Sequence, residues 1–327
     1  MAHDGFTWQD GERTIRYGRG ALDAALASLG EGFVLLTTAR AREMAPVLAA
    51  GAGASFEIPA GPVDELAGDL LHSVDAGPDD LILALGGGRV IDTAKALAAA
   101  RKPGSRPRVA AVPTTLSAAE MTALHRRAAG AVTSLPGVRP QIVINDPSLS
   151  ASQPPMALAA SAANALGHAA EGPATVRASP VPSLAGREAA RLIGEAYAEG
   201  DEPDRDALAL AALLSGYTID SCGYGLHHVM SQTLARLADV GHGQANACML
   251  PHTLTALDRR GAQGAGSLVQ LASELAAHAQ AVRLRDLGVT EELLDACADA
   301  ASSRVELDLT PPRAARDELR ALYGAAH

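Results

Sequence analysis

The chain has 327 residues, of which 48% are hydrophobic and 20% charged, the proportions of a soluble globular protein. This length allows one large domain or two ordinary ones. The net charge of −10 argues against a nucleic-acid partner, because binding along a phosphate backbone needs a basic face.

Cysteine usage and the absence of long apolar runs indicate the compartment. Cys222, Cys248 and Cys297 form no CxxC pair and make an odd count, so no disulfide framework is predicted. The N-terminal segment has no apolar signal core, and no apolar run reaches the ~20 residues that span a bilayer. A cytoplasmic protein without a membrane partner is therefore predicted.

Strand and helix patterns alternate through the first part of the chain. Alternation of apolar and polar residues predicts a strand at 12–18, and apolar runs predict strands at 33–37, 56–59, 81–85 and 109–112. Periodic segments predict helices at 21–29, 41–50, 63–74 and 91–97. This alternation predicts a parallel sheet that is covered by helices on both faces. Residues 1–150 are therefore predicted to form an α/β, Rossmann-like nucleotide-binding domain.

From about Pro155 onward the pattern is helical, with almost no strand signal, and prolines separate the segments. Residues 151–327 are therefore predicted to form an all-α catalytic domain. Ligands commonly bind where two domains meet, so a ligand cleft is expected between the two.

A glycine triplet, Gly86, Gly87 and Gly88, separates the strand at 81–85 from the following helix. Glycines let the backbone approach a pyrophosphate, and the helix N-terminus offers free N–H groups to the anion. Taken alone, the triplet fits a phosphate loop and an ordinary strand-to-helix turn equally well. Thr114 and Thr115 follow the strand at 109–112 and can bond a cofactor, although threonines at a strand end are more often part of a turn.

Histidines recur at helical spacing in the second half of the chain. Asn164 and His168 are four residues apart, as are His228 and Gln232, and residues with this spacing share one helix face. His227 precedes His228, and His242 follows shortly after. Any one of these histidines is more simply a core or surface residue, but together they favour a site.

With these motifs in order, the chain resembles the iron-containing alcohol dehydrogenase superfamily over nearly its whole length. GGGRVIDTAKA resembles the family's pyrophosphate loop, and VPTTLSAAEMT resembles its second cofactor segment. GLHHVMSQ and VGHGQANACMLPH resemble its two C-terminal histidine motifs. AEMT, NALGHAAEG and the double histidine in GLHH are most similar to the maleylacetate reductase branch.

The resemblance implies a metal site that this chain alters. Metal-using members bind a divalent ion with one aspartate and three histidines, and the matching positions here are interpreted as Asn164, His168, Gln232 and His242. Two neutral amides are poor ligands for iron or zinc, so no tightly bound metal is predicted. His168, His228 and His242, with His227 beside them, are then the candidate hydrogen-bond and proton donors to the substrate oxygen, and Asn164 and Gln232 are candidates for orienting it.

The resemblance places the cofactor at the glycine triplet, Arg89, Asp92, Thr114 and Thr115. Arg89 stands where the family usually has a small hydroxyl residue, and it either pairs with an anion or faces solvent. The strand at 33–37 ends at Thr37 without the carboxylate that favours the ribose 2′-OH of NAD. Arg40 and Arg42 follow and could tolerate a 2′-phosphate, so the sequence leaves NAD and NADP open.

The predicted function is metal-independent hydride transfer between a ketone and a secondary alcohol, with NAD or NADP as cofactor. The resemblance implies a small carboxylated ketone such as maleylacetate as substrate and a homodimer as the assembly. An alternative is a tailoring dehydrogenase that oxidises a β-hydroxy acid, for example a peptide C-terminal threonine, with decarboxylation. Two features suggest this alternative: the altered ligand set, and the short segment ALHRRAAGAVTSLPGVRP. A shorter hairpin there could open the cleft to a larger substrate. Two further hypotheses for the function are a dehydroquinate synthase-like lyase and a nucleotide-binding pseudoenzyme.

Overall fold

A computed structural model describes residues 5–131, 135–198 and 202–327. The chain divides into two compact units, one of Met1–Ser152 with Arg205–Leu213 and one of Gln153–Asp204 with Leu214–His327. The sequence-based division into a domain of residues 1–150 and a domain of residues 151–327 stays a prediction. Residues 132–134, within the short segment that motivates the tailoring alternative, lie outside the described residues.

The described part of the first unit contains a seven-stranded sheet with the strand order β1-β2-β7-β6-β5-β3-β4. All neighbouring strands pair in parallel except β1 and β2, which are antiparallel. The strands are β1 Phe6–Asp10, β2 Arg13–Tyr17, β3 Phe33–Thr37, β4 Ala52–Glu57, β5 Leu81–Gly86, β6 Arg108–Pro113 and β7 Ile142–Asn145.

Helices cover both faces of this sheet, as predicted. Alternate residues of β5 enter two different hydrophobic clusters, Leu83 and Leu85 packing with α1 and Ile82 and Ala84 packing with α4 and α5. The helices of the first unit are α1 Ala21–Leu29, α2 Ala39–Met44, α3 Pro46–Gly51, α4 Val63–Leu70, α5 Gly88–Ala99 and α6 Pro147–Ser150.

Two predicted helices differ from the observed ones. The helix predicted over 41–50 is two helices, because Pro46 starts α3 and Ala45 leaves helical geometry at φ −137°. The helix predicted over 63–74 ends at Leu70, and a turn follows. The strand predicted at 56–59 is β4, which starts earlier and ends at Glu57.

The described part of the second unit is helical and contains no strand. Small residues let its helices pack closely: a Cβ on Gly186 of α8 would lie 2.7 Å from the carbonyl oxygen of Ala169 in α7. The α-helices, of which α9 begins in the first unit, are α7 Pro155–Glu171, α8 Pro180–Ala198, α9 Arg205–Cys222, α10 Leu226–Leu237, α11 His242–Arg259, α12 Val269–His278, α13 Glu291–Ser302 and α14 Arg316–Ala326.

Across the described residues, no helix combines the length and apolarity that crossing a membrane requires.

Candidate active site

The glycine turn between β5 and α5 is closely packed against the loop that follows β6. A Cβ on Gly87 would lie 2.9 Å from Thr115 Cγ2, and one on Gly88 would lie 3.1 Å from Ser117 Oγ. No side chain caps the N-terminus of α5, and the buried Thr115 Oγ1 has no hydrogen-bond partner. An uncapped helix N-terminus beside an unpaired hydroxyl and close backbone fits a bound pyrophosphate.

The other predicted cofactor residues near this turn have distinct surroundings. Thr114 N donates to Gly86 O at 2.9 Å, which ties the loop to β5. Arg89 is exposed. Asp92 Oδ1 accepts from Lys95 Nζ at 2.7 Å, and this fully buried lysine also donates to Ala119 O and Leu124 O. Asp92 therefore holds a lysine that anchors the loop after β6.

The end of β3 carries Thr37, which is fully buried and has no acidic neighbour along the strand. The neighbouring strand supplies one, because Glu57 pairs in register with Thr37 and its carboxylate lies 3.2 Å from Arg42. Arg40 donates to Ser152 Oγ at 2.9 Å. Both arginines therefore have partners within the first unit, and the choice between NAD and NADP stays a prediction.

In the helical unit, α7 and α10 bring three of the predicted histidines together. The rings of His168 and His228 stack with centroids 4.7 Å apart and planes 16° from parallel. His227 meets His228 edge-on at 4.8 Å. All three side chains are at most 8% exposed.

His227 is held on the side of this cluster that packs against α7 and α11. Its Nδ1 lies 2.9 Å from Thr253 Oγ1, whose hydroxyl reaches Met249 O and so is free to accept the ring hydrogen. A Cβ on Gly167 would lie 2.7 Å from His227 Nε2, so only glycine fits there. His227 is therefore built into the packing of the helices.

Glu171, at the end of α7, joins the cluster to the start of α10. One carboxylate oxygen accepts from His227 N at 2.6 Å, and the other accepts from His228 N at 3.3 Å and bonds His228 Nδ1 at 2.6 Å. These backbone groups belong to the first turn of α10, where Thr310 Oγ1 also accepts from Leu226 N at 3.1 Å. The carboxylate thus caps the helix and holds a histidine ring.

His242 is exposed at the first position of α11, and Asn246 fixes its hydrogen bonding. Asn246 Nδ2 donates to His242 O at 2.8 Å, and a carbonyl oxygen only accepts, so this nitrogen is also the donor to His242 Nε2 at 3.2 Å. The hydrogen of a neutral His242 ring therefore lies on Nδ1.

Gln232 is engaged by an arginine from outside its own helix. Arg304 donates to Gln232 Oε1 at 3.2 Å and to Tyr224 Oη at 3.1 Å, and it forms a two-point ion pair with Glu306. The Tyr224 ring lies 5.9 Å from His228. Gln232 is therefore bonded to Arg304, in the segment between α13 and α14. His228, on the same helix, instead stacks on His168.

Burial determines the charge of the cluster. It lowers the pKa of His227 and of His228 to about 3, and it lowers the pKa of His168 well below its ordinary value, with the neighbouring histidines adding to the effect. These rings are neutral at neutral pH. That a histidine of this cluster supplies a proton to the substrate oxygen stays a prediction, and a buried ring would have to do so from its neutral form.

Four polar atoms in this cluster are buried without a hydrogen-bond partner: Asn164 Oδ1, His168 Nδ1, His227 Nε2 and His228 Nε2. An unpaired buried polar atom costs about 1–3 kcal/mol, which a bound polar ligand would recover. The cluster is therefore suited to a small oxygen-bearing substrate.

The donor set does not fit the divalent ion that the family name implies. His228 is not one of the four positions interpreted as ligands, and it cannot share an ion with His168 in this arrangement. The lone pairs of two imidazoles meet at one ion only if the ring planes intersect there, and these two rings are nearly parallel. His242 Nε2 is used by Asn246, and Gln232 Oε1 faces the Arg304 cation. Among the described residues, no three His, Cys, Asp or Glu side chains are arranged to hold a metal.

Sequence reasoning missed several residues that organise this site. Asn246 lies four residues after His242 on the same helix, so helical spacing could have indicated it. Glu171 has the same kind of signal, three residues after His168. Arg304 has none, because it lies 72 residues from Gln232 in the chain.

Two family models match the chain: "Iron-containing alcohol dehydrogenase" over residues 13–147 and "Fe-containing alcohol dehydrogenase family, C-terminal" over residues 158–265. A 1,3-propanediol dehydrogenase from Citrobacter freundii is 32% identical over 66% of this chain and 65% of its own length. The match therefore spans slightly less than two thirds of that relative.

Maleylacetate reductases are similar to this chain in sequence and in structure. The one from Rhizobium sp. is 29% identical over 68% of each chain. Its crystal structure superposes with a TM-score of 0.77 at 25% identity, covering 99% of this chain and 98% of that one.

Proposed function

Because the chain belongs to the iron-containing alcohol dehydrogenase family, we propose that it interconverts a ketone and a secondary alcohol by metal-independent hydride transfer with NAD or NADP. The proposed substrate is a small carboxylated ketone, as in the maleylacetate reductases it resembles. The observation that carries the proposal is the set of buried, unpaired atoms on Asn164, His168 and His228.

In this proposal the first unit holds the dinucleotide. Gly87 and Gly88 let the pyrophosphate approach the N-terminus of α5, and Thr115 Oγ1 and the exposed Arg89 bond it. When bound, the nicotinamide supplies or accepts the hydride. The protein supplies position and electrostatics.

The residues of the helical unit bind the reacting oxygen. Neutral imidazoles and the Asn164 amide replace the charge of a metal with fixed hydrogen-bonding groups, and these need little reorganisation during the reaction. Burial of His168 and His228 strengthens each such bond, because the surroundings are of low dielectric. Metal independence is supported by the parallel rings and by the internal bonds of Gln232 and His242.

We also propose the homodimer that the family resemblance implies. Its support is β1, which pairs only with β2 and so leaves one edge of the sheet unpaired in the described residues. Such an edge is a template for pairing with a second chain. Light scattering coupled to gel filtration measures the mass, and a monomer at micromolar concentration would contradict this proposal.

The reaction is tested with maleylacetate and NADH or NADPH, following loss of coenzyme absorbance. Activity is expected to survive exhaustive chelation, because the donor set has no place for an ion. His168→Asn is expected to lower kcat by about 10²-fold, since one positioned hydrogen-bonding group in the transition state is lost. His278→Asn is the matched control, because His278 is an exposed histidine of the same unit.

Activity that disappears on chelation and returns with Fe²⁺ or Zn²⁺ would overturn metal independence. Coenzyme binding without turnover of maleylacetate, but with oxidation of a β-hydroxy acid, would favour the tailoring alternative. An equal loss of kcat in His168→Asn and His278→Asn would show that the histidine cluster takes no part in the reaction.

A further inference from the structure

The Glu171 carboxylate is surrounded by donors. His227 N, His228 N and His228 Nδ1 all lie within hydrogen-bond distance of its two oxygens, at 2.6, 3.3 and 2.6 Å. A carboxylate accepts all three bonds, whereas a carboxylic acid would have to donate its hydrogen to His228 Nδ1. Burial raises the pKa of Glu171, and the backbone donors of His227 and His228 oppose this shift. The N-terminus of α10 also favours the anion.

This arrangement decides which nitrogen of His228 carries the hydrogen. A carboxylate can only accept, so Nδ1 must donate to it, and the hydrogen of the neutral ring lies on Nδ1. Nε2 is then a bare lone pair. It is buried, and it has no partner in the described structure.

We propose that Glu171 is a positioning residue that fixes this tautomer, so that His228 Nε2 accepts the hydrogen bond of the substrate hydroxyl. The inference rests on the proposed function for the identity of that hydroxyl. It predicts that the site distinguishes an alcohol, which has a hydrogen to donate to Nε2, from the ketone, which has none. The polarising donor for the ketone oxygen must then be another group of the cluster.

The substitution Glu171→Gln tests the assignment because it keeps the shape and adds two amide hydrogens. The shorter of the two bonds to backbone N–H groups, 2.6 Å to His227 N, requires an acceptor, so the amide oxygen takes that side. The amide nitrogen then faces His228 Nδ1 and donates to it. The ring hydrogen is expected to move to Nε2.

The tautomer is read directly by long-range ¹H–¹⁵N correlation on protein with ¹⁵N-labelled histidine, the His228 signals being assigned by their loss in His228→Gln. The expected result is hydrogen on Nδ1 in the wild-type protein and on Nε2 in Glu171→Gln. Thr218→Val is the matched control, because it removes buried hydroxyl bonds to Pro182 O and Leu214 O without touching a ring. It is expected to keep the wild-type tautomer.

A kinetic measurement uses 3-hydroxybutyrate and acetoacetate as probes. Glu171→Gln is expected to raise KM for the alcohol about tenfold, the size expected for one lost hydrogen bond. It is expected not to raise KM for the ketone, because the hydrogen on Nε2 can then donate to the ketone oxygen. A merely structural role would raise both equally, as a general loss of packing does.

Hydrogen on Nε2 in the wild-type protein, or equal changes in both KM values, would overturn the inference. The tautomer in the wild-type protein can be measured even if Glu171→Gln fails to fold. If the wild-type protein turns over neither probe nor maleylacetate, the proposed function fails, and the ¹⁵N result still decides whether Glu171 fixes the ring.

Discussion

Glu120 is a carboxyl group that the first unit buries almost completely, at 1% exposure, with neither oxygen bonded within the described residues. It lies in the short helical turn Ala119–Met121, next to the loop that Lys95 anchors. Burial raises its pKa to about 7, and the nearby Lys95 and Arg13 charges only partly oppose this.

The pKa of Glu120 makes stability depend on pH in a defined direction. The folded chain keeps this proton up to about pH 7, whereas the unfolded chain loses it near pH 4.5. Folding therefore takes up a proton between these values, and the free energy of unfolding falls by about 3 kcal/mol as pH rises through them. Glu120→Gln has no proton to lose at this position, so its free energy of unfolding does not fall for this reason. The free energy of unfolding of the variant minus that of wild type is therefore expected to increase by about 3 kcal/mol between pH 4 and pH 8.

Urea denaturation of both proteins at several pH values measures that difference, and all other titrating groups cancel from it. Glu43→Gln is the control, because Glu43 is an exposed carboxylate on α2. A difference between Glu120→Gln and wild type that does not change with pH would show that Glu120 is ionised in the folded chain.

The sequence predicted site residues whose interaction partners are close in the chain, and it missed site residues whose partners are distant in the chain. Helical spacing placed Asn164 and His168 on one face, and both carry unpaired atoms of the candidate site. The partner of Gln232 was not predictable, because Arg304 reaches it through the tertiary fold. Nor does local sequence tell that burial keeps the ring of His228 neutral.

Among the elements, α7 carries a glycine where a helix would otherwise prefer alanine. A Cβ on Gly167 would lie 2.7 Å from His227 Nε2, and this ring is fixed by its bond to Thr253. Gly194 of α8 is different, because its nearest neighbour would be Leu271 Cδ2 at 3.6 Å, an ordinary contact. The two glycines form a matched pair within the same unit.

Gly167→Ala is expected to lower the free energy of unfolding by about 1–3 kcal/mol, since the ring must move out of a packed position. Gly194→Ala is expected to raise it by about 0.5–1 kcal/mol, because alanine is the better helix former. Chemical denaturation measures both. Stabilisation by both substitutions would show that the His227 ring yields at little cost.

Element prediction succeeded where a run is fully buried and failed where it is short or exposed. The strand predicted at 33–37 is β3 without change of bounds, and the run predicted at 81–85 is β5 with one residue added. β1 was missed, since it is an edge strand with no buried residue. β7 was missed because four residues give no detectable period.

For the whole molecule, the periodicity of the sequence cannot tell which unit a helix packs with. Residues Arg205–Leu213 of α9 belong to the first unit. They are fixed there by Asp206, whose backbone oxygen accepts from Tyr17 Oη at 2.7 Å and whose carboxylate forms an ion pair with Arg19. A division of the sequence at one residue could not anticipate this, because the contacts span nearly 190 residues.

Binding of a coenzyme can be detected as an increase in the thermal stability of the folded protein. A ligand that binds only the folded state stabilises it by about 2.7 kcal/mol at 100 times its Kd, which for a chain of this size is a rise in Tm of about 4 °C. NADH and NADPH are each expected to raise the Tm, and the larger rise identifies the preferred coenzyme at equal concentration.

If the pyrophosphate binds as proposed, Gly87→Ala is expected to abolish that rise, because its Cβ would lie 2.9 Å from Thr115 Cγ2 and would displace the loop beside the proposed site. Gly194→Ala, which is expected to raise the Tm of the free protein, is expected to keep the full coenzyme effect. The comparison separates stability from binding, since one glycine contributes to the cofactor turn and the other only to a helix. An unchanged coenzyme effect in Gly87→Ala would mean that the dinucleotide does not bind at the N-terminus of α5.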